Sequence, residues 1–231
     1  MKIEAISYSD LKHQLTNYEV SVAKRGEGRT TEQTEEWISK RLLPTLAKGR
    51  FIDFPVCIIR EDRPDLRIEM QSRSAGIEIT EVVPPMYAQA VAIRNEDYPD
   101  ARVDRSIFTW GAQFKAKDIH KHLTKVGGKL TGPGWTGDSV EREWATAVNE
   151  SIMKKTKKLN NQGFNVYPNN WLAIYCSSPG PQLNIQKAGS LLTAPAAKAG
   201  EHRFDAIFVL TGSQFVALTE DDLCIHDLIV L

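Results

Sequence analysis

Two short stretches alternate apolar and polar residues at the repeat of a β-strand. In DLRIEMQ (65–71), Leu66, Ile68 and Met70 fall on one side, with Arg67 and Glu69 on the other. In GIEITEVV (76–83), Ile77 and Ile79 oppose Glu78 and Thr80. Side chains on a strand alternate between two faces, so each stretch can bury one face; a helix would scatter the same residues around its axis. The turn-rich QSRSAG (71–76) between them makes the pair an antiparallel hairpin. An apolar run, FPVCII (54–59), precedes it, and Pro84-Pro85 stops its second strand.

Helical patterns surround this hairpin. Residues 8–24 read as a short helix through Leu11, Leu15, Tyr18 and Val22, broken by GEGRTT (26–31). A clearer helix starts at an N-cap of Thr30 or Thr31, with Glu32, Glu35 and Glu36 early and Trp37, Ile38, Leu42 and Leu43 as its apolar face. Pro44 is expected to bend or end it. MYAQAVAIR (86–94) reads as helix, and a long helix is expected from Asp138 to Asn160. Its apolar residues are Val140, Trp144, Val148, Ile152 and Leu159, with acids at its start and lysines 154, 155, 157 and 158 at its end, as the macrodipole favours. Strands follow at 171–177, 205–211 and 215–220, the last two joined by a turn at TGSQ. Residues 178–203 read as a Pro, Gly and Ala-rich loop with room for a short helix. The whole is an α/β chain, a single domain over 1–231 with a central mixed sheet flanked by helices.

Residues 95–137 form a basic, glycine-containing insertion within that domain. From 102 to 137 there are nine Lys, Arg or His residues against two acids. The chain as a whole carries 29 basic and 29 acidic residues, so its net charge gives no support for an anionic partner, and any such partner must be met by a local patch. Lys115, Lys117, Lys121, Lys125 and Lys129 are the candidate phosphate contacts, and Trp110, Phe114 and Trp135 are candidates to stack on bases. Taken singly, such charges more often mark a solvated face, and such aromatics more often pack. GGKLTGPGWTG (127–137) lacks the spacing of a phosphate-binding loop and reads as a flexible loop near the site, or as a plain connector.

Several chemistries find no support. Cys57, Cys176 and Cys224 lie in or beside apolar stretches, form no paired motif and read as buried free thiols of a reducing compartment. His120 and His122 would point to different faces of a helix and have no third zinc ligand nearby. Neither a nucleophile elbow nor a dinucleotide fingerprint occurs. The N-terminus lacks an apolar core of signal-peptide length and no stretch is long enough to span a membrane, so a cytoplasmic protein is expected.

The hairpin carries the candidate chemistry. Asp65 precedes Glu78 by thirteen residues, one acid at the start of each strand pattern. Two carboxylates on neighbouring strands suit a hard cation such as Mg²⁺, which takes one or two protein carboxylates and keeps sites for water and phosphate. Register decides whether they meet. A turn over 71–76 would set Asp65 opposite Val82, whereas a tighter turn at 71 and 72 would set it opposite Glu78. Glu69 is a reserve ligand on the side of Asp65, and Glu81 is expected in solvent at the strand end. The bland reading makes Asp65 a turn residue and Glu78 the wet side of an edge strand.

Pro64-Asp65, then Glu78-Ile79-Thr80, after a helix bearing Glu35 and Glu36, resembles the PD-(D/E)XK, or restriction-endonuclease-like, nuclease superfamily. The element order over about 30–180 is similar to that family's αβββαβ core. The resemblance implies an Mg²⁺- or Mn²⁺-dependent hydrolase cutting phosphodiester bonds, with DNA as the expected substrate and no organic cofactor. Asp65 and Glu78 would hold metal, Glu35 or Glu36 would be a third acid, and a homodimer would suit cutting of both strands. The family's lysine is replaced by Thr80, which cannot act as a cation; Lys115, Lys117, Lys154 and Lys155 are candidate substitutes. The alternative is an inactive, nuclease-like protein that binds nucleic acid or a protein partner, or an unrelated α/β protein.

Overall fold

The computed structural model describes the backbone of all residues except 24–27, 127–128, 178–179, 194–201 and 230; the side chains of residues 125 and 126 also lie outside the description. In chain order the elements are β1 (Lys2–Ala5), α1 (Tyr8–Asn17), α2 (Thr31–Lys48), β2 (Val56–Arg60), β3 (Leu66–Met70), β4 (Ser74–Val82), α3 (Pro85–Asp97), α4 (Ala116–Val126), α5 (Ser139–Leu159), β5 (Asn169–Cys176), α6 (Ile185–Gly189), β6 (Ala206–Thr211), β7 (Gln214–Thr219) and β8 (Leu223–Asp227). These eight strands join one sheet in sequence order. Neighbours are antiparallel except β4–β5 and β5–β6, which are parallel. A parallel pair needs a crossover, and α5 lies on the crossover from β4 to β5. Among the described residues, no helix is long and apolar enough to cross a membrane.

Each face of the sheet buries its own core. On one face Ile77, Ile79, Trp171, Phe208 and Phe215 pack under Leu11 and Leu15 of α1 and Ile38, Leu42, Leu43 and Leu46 of α2. On the other, Leu172, Ile174, Ile207 and Val209 pack under Trp144, Val148 and Ile152 of α5 and Ile185 of α6. Glu78 lies between Ile77 and Ile79 on β4, so the alternation turns it to the α5 face.

Several expectations need correction. The first helix stops at Asn17, well short of residue 24. Helix α2 is capped by Thr30, whose hydroxyl accepts from the Gln33 N–H while the Gln33 side chain accepts from the Thr30 N–H. It does not end at Pro44 but runs on to Lys48. Proline removes one helical hydrogen bond, and burial of Leu42, Leu43 and Leu46 outweighs that loss. Strands β1 and β8, the two sheet edges, add to the expected elements; each is short and mixes apolar with polar residues. The insertion contains α4, whose Ile119 and Leu123 pack with Ala90 of α3, Ala101 and Phe108 into a third small core. The three cysteines are free, but of the expected burial only Cys176 shows it; Cys57 and Cys224, on strands at or beside the sheet edges, are partly exposed.

Candidate functional site

The hairpin adopts the tighter register. Glu69 pairs with Ser74 and Leu66 with Ile77, leaving Gln71 and Ser72 as the turn. The next step outward sets Asp65 beside Glu78. There β3 ends while β4 continues alongside β5, so the ladder forks. Beyond the fork the Ile79 N–H has lost its partner strand, and the Asp65 carboxylate (Oδ2) accepts its hydrogen bond at 2.6 Å. Asp65 therefore finishes the ladder with its side chain, which fixes the carboxylate at the fork.

Close packing holds this corner. A Cβ on Gly76 would stand 2.7 Å from Pro64 Cγ and 2.7 Å from Tyr167 Cδ2. Only glycine lets the strand pass so near the residue preceding Asp65. The Tyr167 hydroxyl in turn donates to Glu61 at 2.8 Å.

Glu78 is almost fully buried, at 1% exposure. A charge removed from water needs partners. Two lysines reach it from the last turns of α5: Lys155 Nζ donates to Glu78 Oε1 at 2.7 Å, and Lys158 Nζ donates to the same oxygen at 2.5 Å. Lys155 also donates to the Ile79 carbonyl at 3.4 Å. Glu78 Oε2 is buried and has no hydrogen-bond partner among the described residues.

Asp65, Glu78, Thr80, Lys155 and Lys158 line one cavity of about 310 Å³ together with Thr31, Thr34, Glu35 and Ile38 of α2 and Glu81 of β4. Burial, and then the neighbouring Glu78 charge, push the Asp65 carboxyl up to about 6. Burial, followed by the charges of Asp65 and Glu78, pushes Glu35 up to about 7. The acids crowd one another enough that cations are favoured here, although two lysines already supply positive charge. Among the described residues, no three His, Cys, Asp or Glu side chains form a complete metal-ligand group. An Mg²⁺ site does not require one, since water and phosphate fill the remaining positions. A cation there would satisfy the orphaned Oε2 of Glu78, a residue that the register sets across the fork from Asp65.

Other candidates lie elsewhere. Glu36 accepts from the Tyr18 hydroxyl at 3.0 Å and faces the N-terminal amine at 3.8 Å, away from the cavity. Adjacent residues on a helix diverge by about 100°, so only one of Glu35 and Glu36 can face the fork. Glu69 is exposed, bonded to Arg67, and lies at the far end of β3 from Asp65. Glu81 is not in open solvent; it pairs with Arg29 at 3.4 Å on the cavity wall. Lys154 is exposed, and Lys115 and Lys117 sit at the start of α4. Lys155 and Lys158 are more than terminal helix charges, for both turn inward.

On the insertion, Lys115, Lys117, Lys121 and Lys129 are exposed, and the Lys125 side chain lies outside the described residues. The aromatics are engaged within the protein. Trp110 Nε1 donates to Glu150 at 2.8 Å, the Arg105 guanidinium lies over Trp135 at 5.6 Å, and Phe114 packs on Phe108 at 5.1 Å. Nor is the glycine-rich loop free over its described part. Asp104 accepts from the Gly132 N–H at 2.7 Å, and the Ser106 hydroxyl accepts from the Gly134 N–H at 3.2 Å. Gly127 and Gly128 lie outside the described residues.

Reading the lysines of α5 only as terminal charges misses the inward pair, yet the sequence carries a signal for it. Lys155 continues the apolar stripe Val148, Ile152, Leu159 at intervals of three and four. A lysine at such a position must find a buried acid or turn away. Lys158 follows three residues later, on the adjoining side of the same helix. No family model, curated protein or solved structure matches this chain.

Proposed function

We propose that this chain is a divalent-metal-dependent nuclease of the PD-(D/E)XK type, hydrolysing phosphodiester bonds of DNA. The observation that carries the reading is the meeting of Asp65, Glu78 and Lys155 at one fork of the sheet. Lys155 reaches from α5 into the place that Thr80 leaves without a cation. Asp65 and the orphaned Oε2 of Glu78 would hold Mg²⁺ or Mn²⁺, which, when bound, activates water and offsets phosphate charge. Lys155 would orient the attacking water by a hydrogen bond and hold positive charge beside it. Glu35, whose carboxyl burial and the neighbouring acids push up to about 7 while Arg60 pairs with it at 3.5 Å, can accept the proton that water loses. Lys115, Lys117, Lys121 and Lys129 would contact backbone phosphates.

A second reading, a nuclease-like binding protein without activity, draws support from the same lysines, since their two ammoniums already neutralise Glu78. The test is cleavage of single- and double-stranded DNA and RNA in Mg²⁺, Mn²⁺ or EDTA. Wild type is compared with Asp65→Ala, Glu78→Ala and Lys155→Ala. Metal-dependent cutting lost in all three variants supports the nuclease. No cutting by folded wild type, with salt-dependent DNA binding retained, supports the second reading.

A further inference from the structure

We propose that Lys158 is a displaceable internal counter-ion that competes with the metal for Glu78 and so lowers the affinity of the site for divalent cations. This rests on the metal-site reading above and concerns the regulation of that site.

The two lysines on Glu78 are not equivalent. Lys155 is 16% exposed and shares its ammonium between Glu78 and the Ile79 carbonyl. It is tied to the backbone of β4 as well as to the carboxylate. Lys158 is 41% exposed, and among the described residues Glu78 is the acid it pairs with. It reaches the cavity wall from the last turn of α5. Its ammonium returns to water more readily than that of Lys155, because it is already partly hydrated and its long stem rotates freely, yet leaving Glu78 still costs the buried carboxylate a partner.

Both ammoniums converge on Oε1, where two positive charges share one acceptor. A divalent cation drawn to Glu78 meets their combined repulsion. Expelling one of them relieves about half of it, and the one more open to water is Lys158. Binding of the ion then includes the work of breaking the Lys158–Glu78 pair. Removing Lys158 in advance removes that work, so the ion binds more tightly. Meanwhile the ion-free protein loses a partner for a buried carboxylate and becomes less stable.

The experiment is titration of the full chain with Mn²⁺ by calorimetry, together with thermal melting with and without Mn²⁺. Wild type is compared with Lys158→Gln and with Lys157→Gln, which removes an exposed charge from the same turn. Lys158→Gln is expected to bind Mn²⁺ about tenfold more tightly than wild type, whereas Lys157→Gln changes affinity by less than about threefold, as screening of an exposed charge dictates. Lys158→Gln is also expected to melt below wild type in EDTA and to gain more from Mn²⁺. Lys158→Arg, which restores the charge, should return the affinity toward that of wild type if Lys158→Gln proves unstable. Equal affinity in wild type, Lys158→Gln and Lys158→Arg, with binding still lost in Asp65→Ala, overturns the competition while leaving the metal site standing. No Mn²⁺ binding by wild type or Lys158→Gln, or binding that survives Asp65→Ala, overturns both.

Discussion

Replacing Asp65 by asparagine removes a charge while keeping the acceptor oxygen that finishes the β4 ladder. In the folded chain the Asp65 carboxyl is raised from its ordinary 3.8 to about 6, chiefly by burial and then by Glu78. The folded state therefore holds this proton more strongly than the unfolded state does. Its stability then falls as pH rises. The penalty is nearly absent below about pH 4 and is complete above about pH 6, where both states are ionised. A gap of about two pKa units corresponds to about 3 kcal/mol. Glu35 and Glu78 share the same field and readjust when one charge leaves, so a net gain of about 2 kcal/mol is expected.

Asp65→Asn should thus be more stable than wild type at about pH 8 in EDTA. For a chain of this size the gain corresponds to a rise in Tm of about 4–8 °C. It should shrink as pH is lowered and vanish near pH 4. Denaturation followed by circular dichroism across that range measures both the size and the slope. Adding Mn²⁺ should reverse the order, stabilising wild type and leaving the variant unmoved. A variant less stable than wild type at about pH 8, or a difference independent of pH, would refute the claim that the fork holds Asp65 as a strained acid.

Other perturbations probe the supports of the site and the insertion. Gly76→Ala pushes a methyl into Pro64 and Tyr167 and should cost about 1–3 kcal/mol in chemical denaturation while weakening Mn²⁺ binding. Gly132→Ala would place a Cβ 2.1 Å from Ser106 Oγ and 2.8 Å from Asp104 Oδ2. It should speed amide exchange over 98–137 and leave the sheet protected. Changing Lys115, Lys117, Lys121 and Lys129 together to glutamine should weaken binding to DNA of any sequence. The slope of log affinity against log salt should fall by up to about 4, one for each lysine that no longer neutralises a phosphate.

The hairpin, its acids and the long helix were legible because each rests on local periodicity. Alternation put Glu78 opposite Ile77 and Ile79, and the structure keeps them on opposite faces, although both faces are buried there. The edges β1 and β8 were not legible, since a short strand with one neighbour carries little pattern of its own. Helix α4 was hidden because its lysines and histidines dominate the stretch, although Ile119 and Leu123 are spaced four apart to face one side. The choice between Glu35 and Glu36 depended on how α2 is rotated over the sheet. Neighbouring apolar residues span both options, so composition could not make that choice.

The register shows most clearly why the site lay beyond local reading. Whether Asp65 meets Glu78 turns on a few residues of a turn, because each strand step moves a side chain about 3.3 Å. Both registers keep the apolar faces matched in kind, so burial within the hairpin alone does not choose between them. The wider structure favours one. Tyr167 and Pro64 close on Gly76, Asp65 takes the Ile79 N–H, and Lys155 arrives from a helix that follows the hairpin by more than fifty residues. The Lys155 ammonium also needs a buried acid at that depth, and Glu78 provides it. The tight turn is therefore supported by tertiary contacts as well as by its own residues. If so, disrupting Gly76 should loosen the Asp65 corner before it unfolds the hairpin, and amide exchange at Ile79 should respond before exchange at Ile68.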